Sequence, residues 1–136
     1  MSNLSFKPEE RLKHNKLIGQ VFKEGTTIVG YPLRFLFITS PTDLIHPSQV
    51  AFSVPKRMFK RAVDRNLLKR RIREAYRLQK SDYYQLAENS QLYYLGIFIY
   101  VSKEILPYQD IQKAILKILS KWNKQLNTDH SAQIKD

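Results

Sequence analysis

The sequence predicts an α+β fold, a single sheet packed with helices in the order α-β-β-β-α-β-α. Three observations carry this expectation. Between residues 26 and 54, three runs rich in β-branched and aromatic residues follow one another, separated by glycine, proline and short polar residues. Before and after them, apolar residues recur at helical spacing. The chain has 136 residues, 43% of them apolar, enough to bury a core within one domain.

The first helix is expected in "PEERLKHNKLIGQVFKEG". Pro8 and the acids Glu9 and Glu10 suit a helix start and Gly25 suits a stop, while Leu12, Ile18, Val21 and Phe22 recur at near-helical intervals. Asn15 marks a break within it. Thr26 to Val29 is the first strand, followed by the Gly30–Pro32 turn signal. "LRFLFIT", from Leu33 to Thr39, and "VAFSV", from Val50 to Val54, are the next two, with Pro41, Asp43, Pro47 and Ser48 punctuating the loop between them. Three strands in succession suggest an antiparallel meander or hairpin arrangement. Pro55 closes the third, and a basic helix begins a few residues later. "LYYLGIFIYV" is a fourth strand, apolar enough to lie centrally. Pro107 opens a last helix, with Ile111, Ile115, Ile118, Leu119 and Trp122 as its apolar stripe. One domain is expected over residues 1–126 and a polar, disordered tail over 127–136.

Composition narrows the possible functions. No cysteine is present, so neither a disulfide framework nor a thiolate metal site is available, which accords with a reducing cytosol. The N-terminal stretch lacks the apolar core of a secretory signal. The longest apolar run, Leu92 to Val101, is about half the roughly 20 residues of a membrane-spanning helix. These features point to a soluble, cytoplasmic protein.

The charge is concentrated in one place. Between Lys56 and Lys80 stand eleven lysines and arginines against Asp64 and Glu74, a net of +9 out of the chain's +11. Such a localised field argues for a polyanionic partner. Arginine outnumbers lysine within the run, and its forked guanidinium suits phosphate better than an ammonium does. On a helical wheel with Arg65 at zero, Arg65, Lys69, Arg73, Arg77 and Arg70 fall within about 0–140°. Leu67, Leu78, Ala75, Leu68 and Ile72 fall within about 200–340°. One face is therefore expected on the sheet, and the other projects a row of cations about 5.4 Å apart along the helix. Arg71, near about 240°, sits among the apolar residues and must snorkel or mark a rim.

The pattern Arg65-Asn66-x-x-Lys69-Arg70-x-x-Arg73, preceded by "SVPKR" at Ser53 to Arg57 and followed by Glu74-Ala75-Tyr76-Arg77, resembles the protein component of bacterial ribonuclease P. "RLKHNKLIGQVFKEG" is similar to that family's first helix, and the element order agrees from about Arg11 to Trp122. One departure stands out: Leu67 occupies a position where the family usually has arginine, and Arg71 a position where it usually has leucine. Positions i and i+4 are neighbours on a helix, so charge and grease are exchanged within one strip.

The resemblance implies a small basic subunit that assembles with a large catalytic RNA, the holoenzyme hydrolysing precursor tRNA to remove the 5′ leader. It implies a left-handed βαβ crossover containing the basic helix, against the usual right-handed rule. It implies RNA contact through Arg65, Asn66, Lys69, Arg70 and Arg73, a surface extended by Lys56, Arg57, Lys60, Arg61 and Arg77. It implies also a cleft for the single-stranded leader, with Phe22 as the leading candidate. Arg34 and Leu36, or Phe35 and Phe37, would line it, depending on which face of the second strand is open. Stacking on aromatics within a cationic groove contributes about 1–3 kcal/mol per base.

Catalysis is not expected from the protein's side chains. His14, His46 and His130 are far apart in sequence, and the acids are scattered. The expected cofactor is Mg2+ held with the RNA partner, with none bound by the protein alone. The expected partners are the catalytic RNA and precursor tRNA, with no membrane and no obligate protein partner. Rival readings are a non-catalytic module for structured RNA or DNA, of ribosomal or transcription-factor type, and a membrane-surface protein. A zipper needs sustained heptads, which Ser81-Asp82-Tyr83-Tyr84 and the following strand interrupt. A membrane helix needs a free apolar face, which the sheet here must cover.

Overall fold

The computed structural model describes residues 8–13, 15–40, 48–90 and 93–134. A 3-10 turn, Pro8–Glu10, leads through an extended segment to α1 (Asn15–Glu24), so the expected first helix is broken where Asn15 suggested. Then come β1 (Thr26–Gly30), β2 (Leu33–Thr39), β3 (Ser48–Ser53), α2 (Ala62–Ser90), β4 (Tyr94–Tyr100) and α3 (Tyr108–Ile134). The α3 helix runs across residue 126, the expected boundary between domain and tail. The Pro41–Pro47 part of the loop before β3 lies outside the described residues. Among the described residues, no helix is long and apolar enough to cross a membrane.

The fold class is as expected, but the strand order is not a meander. The sheet runs β1-β2-β4-β3. β1 and β2 form the expected antiparallel hairpin, across a cis Tyr31–Pro32 bond, with Thr26 opposite Phe37 and Gly30 opposite Leu33. β3 does not pair with β2, because β4 lies between them, antiparallel to β2 and parallel to β3. The reason lies in β4 itself. All seven of its residues are buried, so it must be covered on both faces and paired on both edges. Two adjacent parallel strands cannot be joined by a tight turn, and α2 supplies the crossover between β3 and β4.

Side chains alternate across the sheet and divide the core in two. On one face Phe35, Phe37, Val50, Phe98 and Tyr100 pack beneath Leu68, Ile72, Ala75 and Tyr76 of α2 and Ile111, Ile115 and Trp122 of α3. Ring centroids of Phe35 lie 4.4 Å from those of both Phe98 and Trp122. On the other face Leu36, Leu95, Ile97 and Ile99 meet Val21 and Leu12, with Leu17 and Ile18 of α1 at the margin. The molecule is thus three layers: α1, the sheet, and α2 with α3. Gly96 is needed where the sheet meets Phe35, since a Cβ there would stand 2.5 Å from the ring.

Candidate nucleic-acid interface

The basic run folds as two pieces, a turn and a helix. After β3 the chain turns at Pro55, whose carbonyl accepts hydrogen bonds from the amides of Met58 and Phe59. Val54 and Phe59 are buried, Phe59 packing edge-on against Tyr100 with centroids 5.7 Å apart. The residues between and beyond these anchors, Lys56, Arg57, Lys60 and Arg61, are left exposed.

Arg65 joins turn to helix. Its NH1 donates to the carbonyls of Phe59 at 2.7 Å and Lys60 at 2.8 Å, so one guanidinium nitrogen holds the turn against the first turns of α2. Asn66, Arg70 and Arg73 are exposed, while Lys69 and Arg77 are half-buried. Arg77 donates from Nε to Glu74 Oε2 at 3.1 Å and from Nη2 to Oε1, and these bonds hold the Glu74 carboxyl below its ordinary pKa against the opposing effect of desolvation. The same pairing raises the Arg77 pKa, so part of its charge is already answered within the chain.

The division of α2 into two faces is real but turned. Its buried residues, Leu68, Ile72, Ala75, Tyr76 and Lys80, fall between about 280° and 60° on the wheel, roughly 80° round from the expected apolar arc. Leu67 is consequently half-buried and Leu78 is 39% exposed, not core as the pattern suggested. Tyr76 causes the turn. Its ring packs against Phe52 and Phe98 at centroid distances of 5.9 and 5.5 Å, drawing that side of the helix down onto β3 and β4. Arg71 neither snorkels into solvent nor joins the ridge; it donates to the Leu106 carbonyl at 2.6 Å and ties α2 to the approach to α3.

The rotation brings the Lys69–Lys80 flank of α2 alongside the outer edge of β3, where the N-terminal segment lies. Arg11 makes a parallel bridge with Val50, and the Leu12 amide donates to the Val50 carbonyl at 3.0 Å. Glu10 is buried against Lys80, whose Nζ donates to Oε1 at 2.7 Å and also to Oε2. Between strap and helix opens a cleft of about 350 Å3, walled by Arg11, Lys13, Lys69 and Arg73 over Ala51 and Phe52. Arg11 and Lys13 were not among the expected RNA contacts. The signal was the alternation Arg11-Leu12-Lys13, which turns one apolar residue inward between two outward cations.

The expected leader-cleft residues are split between the two faces of β2. Phe35 and Phe37 are in the α2/α3-side core, closed in by Trp122, and line no cleft. Arg34 and Leu36 point to the α1 side, where Leu36 is buried under α1 and Arg34 is exposed. Phe22, on the last turns of α1, is 51% exposed beside the buried Val21. Of the five expected cleft residues, Phe22 and Arg34 are the exposed ones. His14, His46 and the side chain of His130 lie outside the described residues. Among the described residues, no three histidine, cysteine or carboxylate side chains are grouped to hold a metal ion.

Comparison with known proteins shows the family. The family model described as Ribonuclease P matches residues 6–123. A ribonuclease P protein component from Porphyromonas gingivalis is 37% identical over 110 residues, covering 81% of this chain and 80% of that one. One from Chlorobium phaeobacteroides is 32% identical over 101 residues, covering 72% and 69%. Among solved structures, the RNase P protein of Staphylococcus aureus matches with a TM-score of 0.65 at 23% identity, over 82% of this chain and 93% of that one. The RNase P protein of Thermotoga maritima matches with a TM-score of 0.62 at 21% identity, over 82% and 96%. These two likenesses concern the fold.

Proposed function

The chain belongs to the ribonuclease P protein family, and from that premise we propose that it is the RNA-binding subunit of a cytoplasmic holoenzyme that removes the 5′ leader of precursor tRNA. The observation that carries this reading is the sidedness of α2. Leu68, Ile72, Ala75 and Tyr76 are buried, while Asn66, Arg70 and Arg73 stand outward with Lys56, Arg57, Lys60 and Arg61 of the preceding turn. A folded RNA brings phosphates together at an electrostatic cost, and a row of fixed cations offsets it while releasing condensed counterions.

The partners in this reading are the catalytic RNA, gripped by the α2 side, and the precursor, whose single-stranded leader lies on the α1 side. Phe22 offers a stacking face there and Arg34 a charge. Magnesium ions held with the RNA would supply the hydrolytic chemistry, activating water and stabilising the leaving oxygen. The chain's own contribution is to bind, orient and neutralise.

Reconstitution with a bacterial ribonuclease P RNA and precursors of graded leader length tests the proposal. The protein should lower the KM for precursors with leaders of several nucleotides far more than for leaderless ones, and Phe22→Ala should erase much of that difference. A gain independent of leader length contradicts the leader-binding half. Absence of any complex with the RNA contradicts the whole.

A further inference from the structure

We propose that the Arg11–Lys13 strap and the Lys69–Arg73 flank of α2 form one composite phosphate-binding cleft that grips the sugar-phosphate backbone of the RNA partner at the β3 edge. This rests on the RNA-binding reading above and adds to it a second element, remote in sequence from the basic helix.

The cleft is built, not incidental. Three independent anchors fix the strap: the Leu12 amide bonded to the Val50 carbonyl, the Leu12 side chain buried in the α1-side core, and Glu10 buried against Lys80. With Leu12 inward, Arg11 and Lys13 must project on either side of it. They meet Lys69 and Arg73, one helical turn apart on α2, across about 350 Å3 of open space. Among the described residues, none lining that space is acidic. Four cationic residues line this common volume, a setting whose charge is complementary to an anion placed between them.

The chemistry of the walls selects backbone over base. Phe52 is the cleft's aromatic, and its ring is engaged inward, stacked on Phe98 at 16° and 5.9 Å and edge-on to Tyr76. Among the described residues no stacking platform is therefore offered here, in contrast to exposed Phe22 on α1. Forked guanidinium groups from opposite walls suit the paired non-bridging oxygens of a phosphodiester. Such contacts position a nucleic acid without reading its sequence.

The test compares three charge-matched double variants of the full chain, and a fourth combining the first two, each folded by circular dichroism, for binding to a bacterial ribonuclease P RNA across a potassium chloride series. Arg11→Gln/Lys13→Gln alters the strap, Lys69→Gln/Arg73→Gln the helix, and Lys113→Gln/Lys117→Gln an exposed stretch of α3. The strap variant should bind at least about tenfold more weakly than wild type and flatten the log–log salt slope by roughly one to two, as for one or two lost phosphate contacts. The α3 variant should stay within about twofold. The combined strap and helix variant should lose less than the product of the two separate losses, because both walls hold the same anion. A strap variant that behaves like the α3 control while the helix variant still loses affinity overturns the composite cleft and leaves the RNA-binding reading standing. Full affinity in both overturns the two together.

Discussion

Lys80 and Glu10, 70 positions apart in sequence, are joined by a buried ion pair with side chains only 4% and 2% exposed. The last lysine of the basic run is thus a brace rather than part of the ridge. Removing one partner of a buried pair strands the other, at a cost of about 3–5 kcal/mol, whereas replacing both with apolar groups of similar size is often neutral. Lys80→Met should therefore lower stability in urea titration by about that amount, and Glu10→Met/Lys80→Met should recover most of it. A double variant as unstable as the single one would show that the pair contributes more than mutual neutralisation.

Arg70 and Leu68 lie two residues apart on opposite sides of α2, one exposed and one fully buried. Arg70→Ala should weaken RNA binding by about 1–3 kcal/mol and leave the thermal midpoint nearly unchanged. Leu68→Ala should cost about 2–5 kcal/mol of folding stability by opening a cavity. Calorimetry and RNA titration on the same two proteins give the comparison, and an equal loss of stability in both would refute the division of faces.

Arg71 separates charge from function. Its guanidinium is committed to the Leu106 carbonyl, so Arg71→Met should destabilise the fold by about 1–3 kcal/mol while leaving RNA affinity within about twofold. Loss of affinity comparable to that of Arg70→Ala, measured under conditions where the variant is folded, would place Arg71 on the interface instead.

Gly96→Ala tests the packing of the central strand. The added methyl would stand 2.5 Å from Cε1 and Cζ of Phe35, whose ring is wedged between Phe98 and Trp122 and has nowhere to go. Overpacking of this kind costs about 1–3 kcal/mol. A midpoint equal to that of the wild type would mean the aromatic cluster is looser than these distances indicate.

The sequence made some of this legible and hid the rest for identifiable reasons. β1 and β2 stood out because turn residues bracket them, and the break before α1 because Asn15 interrupts the helical spacing. The parallel β3 and β4 came only with the family resemblance and its βαβ crossover, since strand order follows from burial on both sides of β4 and no local pattern encodes it. Phe35 and Phe37 were indistinguishable from Leu36 as cleft residues because β2 is apolar on both faces, and only the placement of Trp122 decides between them. The basic face of α2 was visible as a periodicity, but its exact rotation depends on Tyr76, which a wheel counts as neither charged nor plainly apolar. Lys80 was unreadable as a buried residue because its partner lies in the N-terminal turn. The alternation Arg11-Leu12-Lys13 marks two outward cations, but what they face was hidden, because Lys69 and Arg73 are contributed by a helix more than fifty residues away.

The most direct test of the central claim is cleavage of precursor tRNA by the reconstituted holoenzyme across a magnesium series, comparing wild type with Arg70→Ala/Arg73→Ala. If outward cations on α2 neutralise RNA phosphates, the variant's deficit should be large at low magnesium and shrink as free ions take over that task. A deficit of constant size at every magnesium concentration, or cleavage by the isolated protein without RNA, would contradict the account.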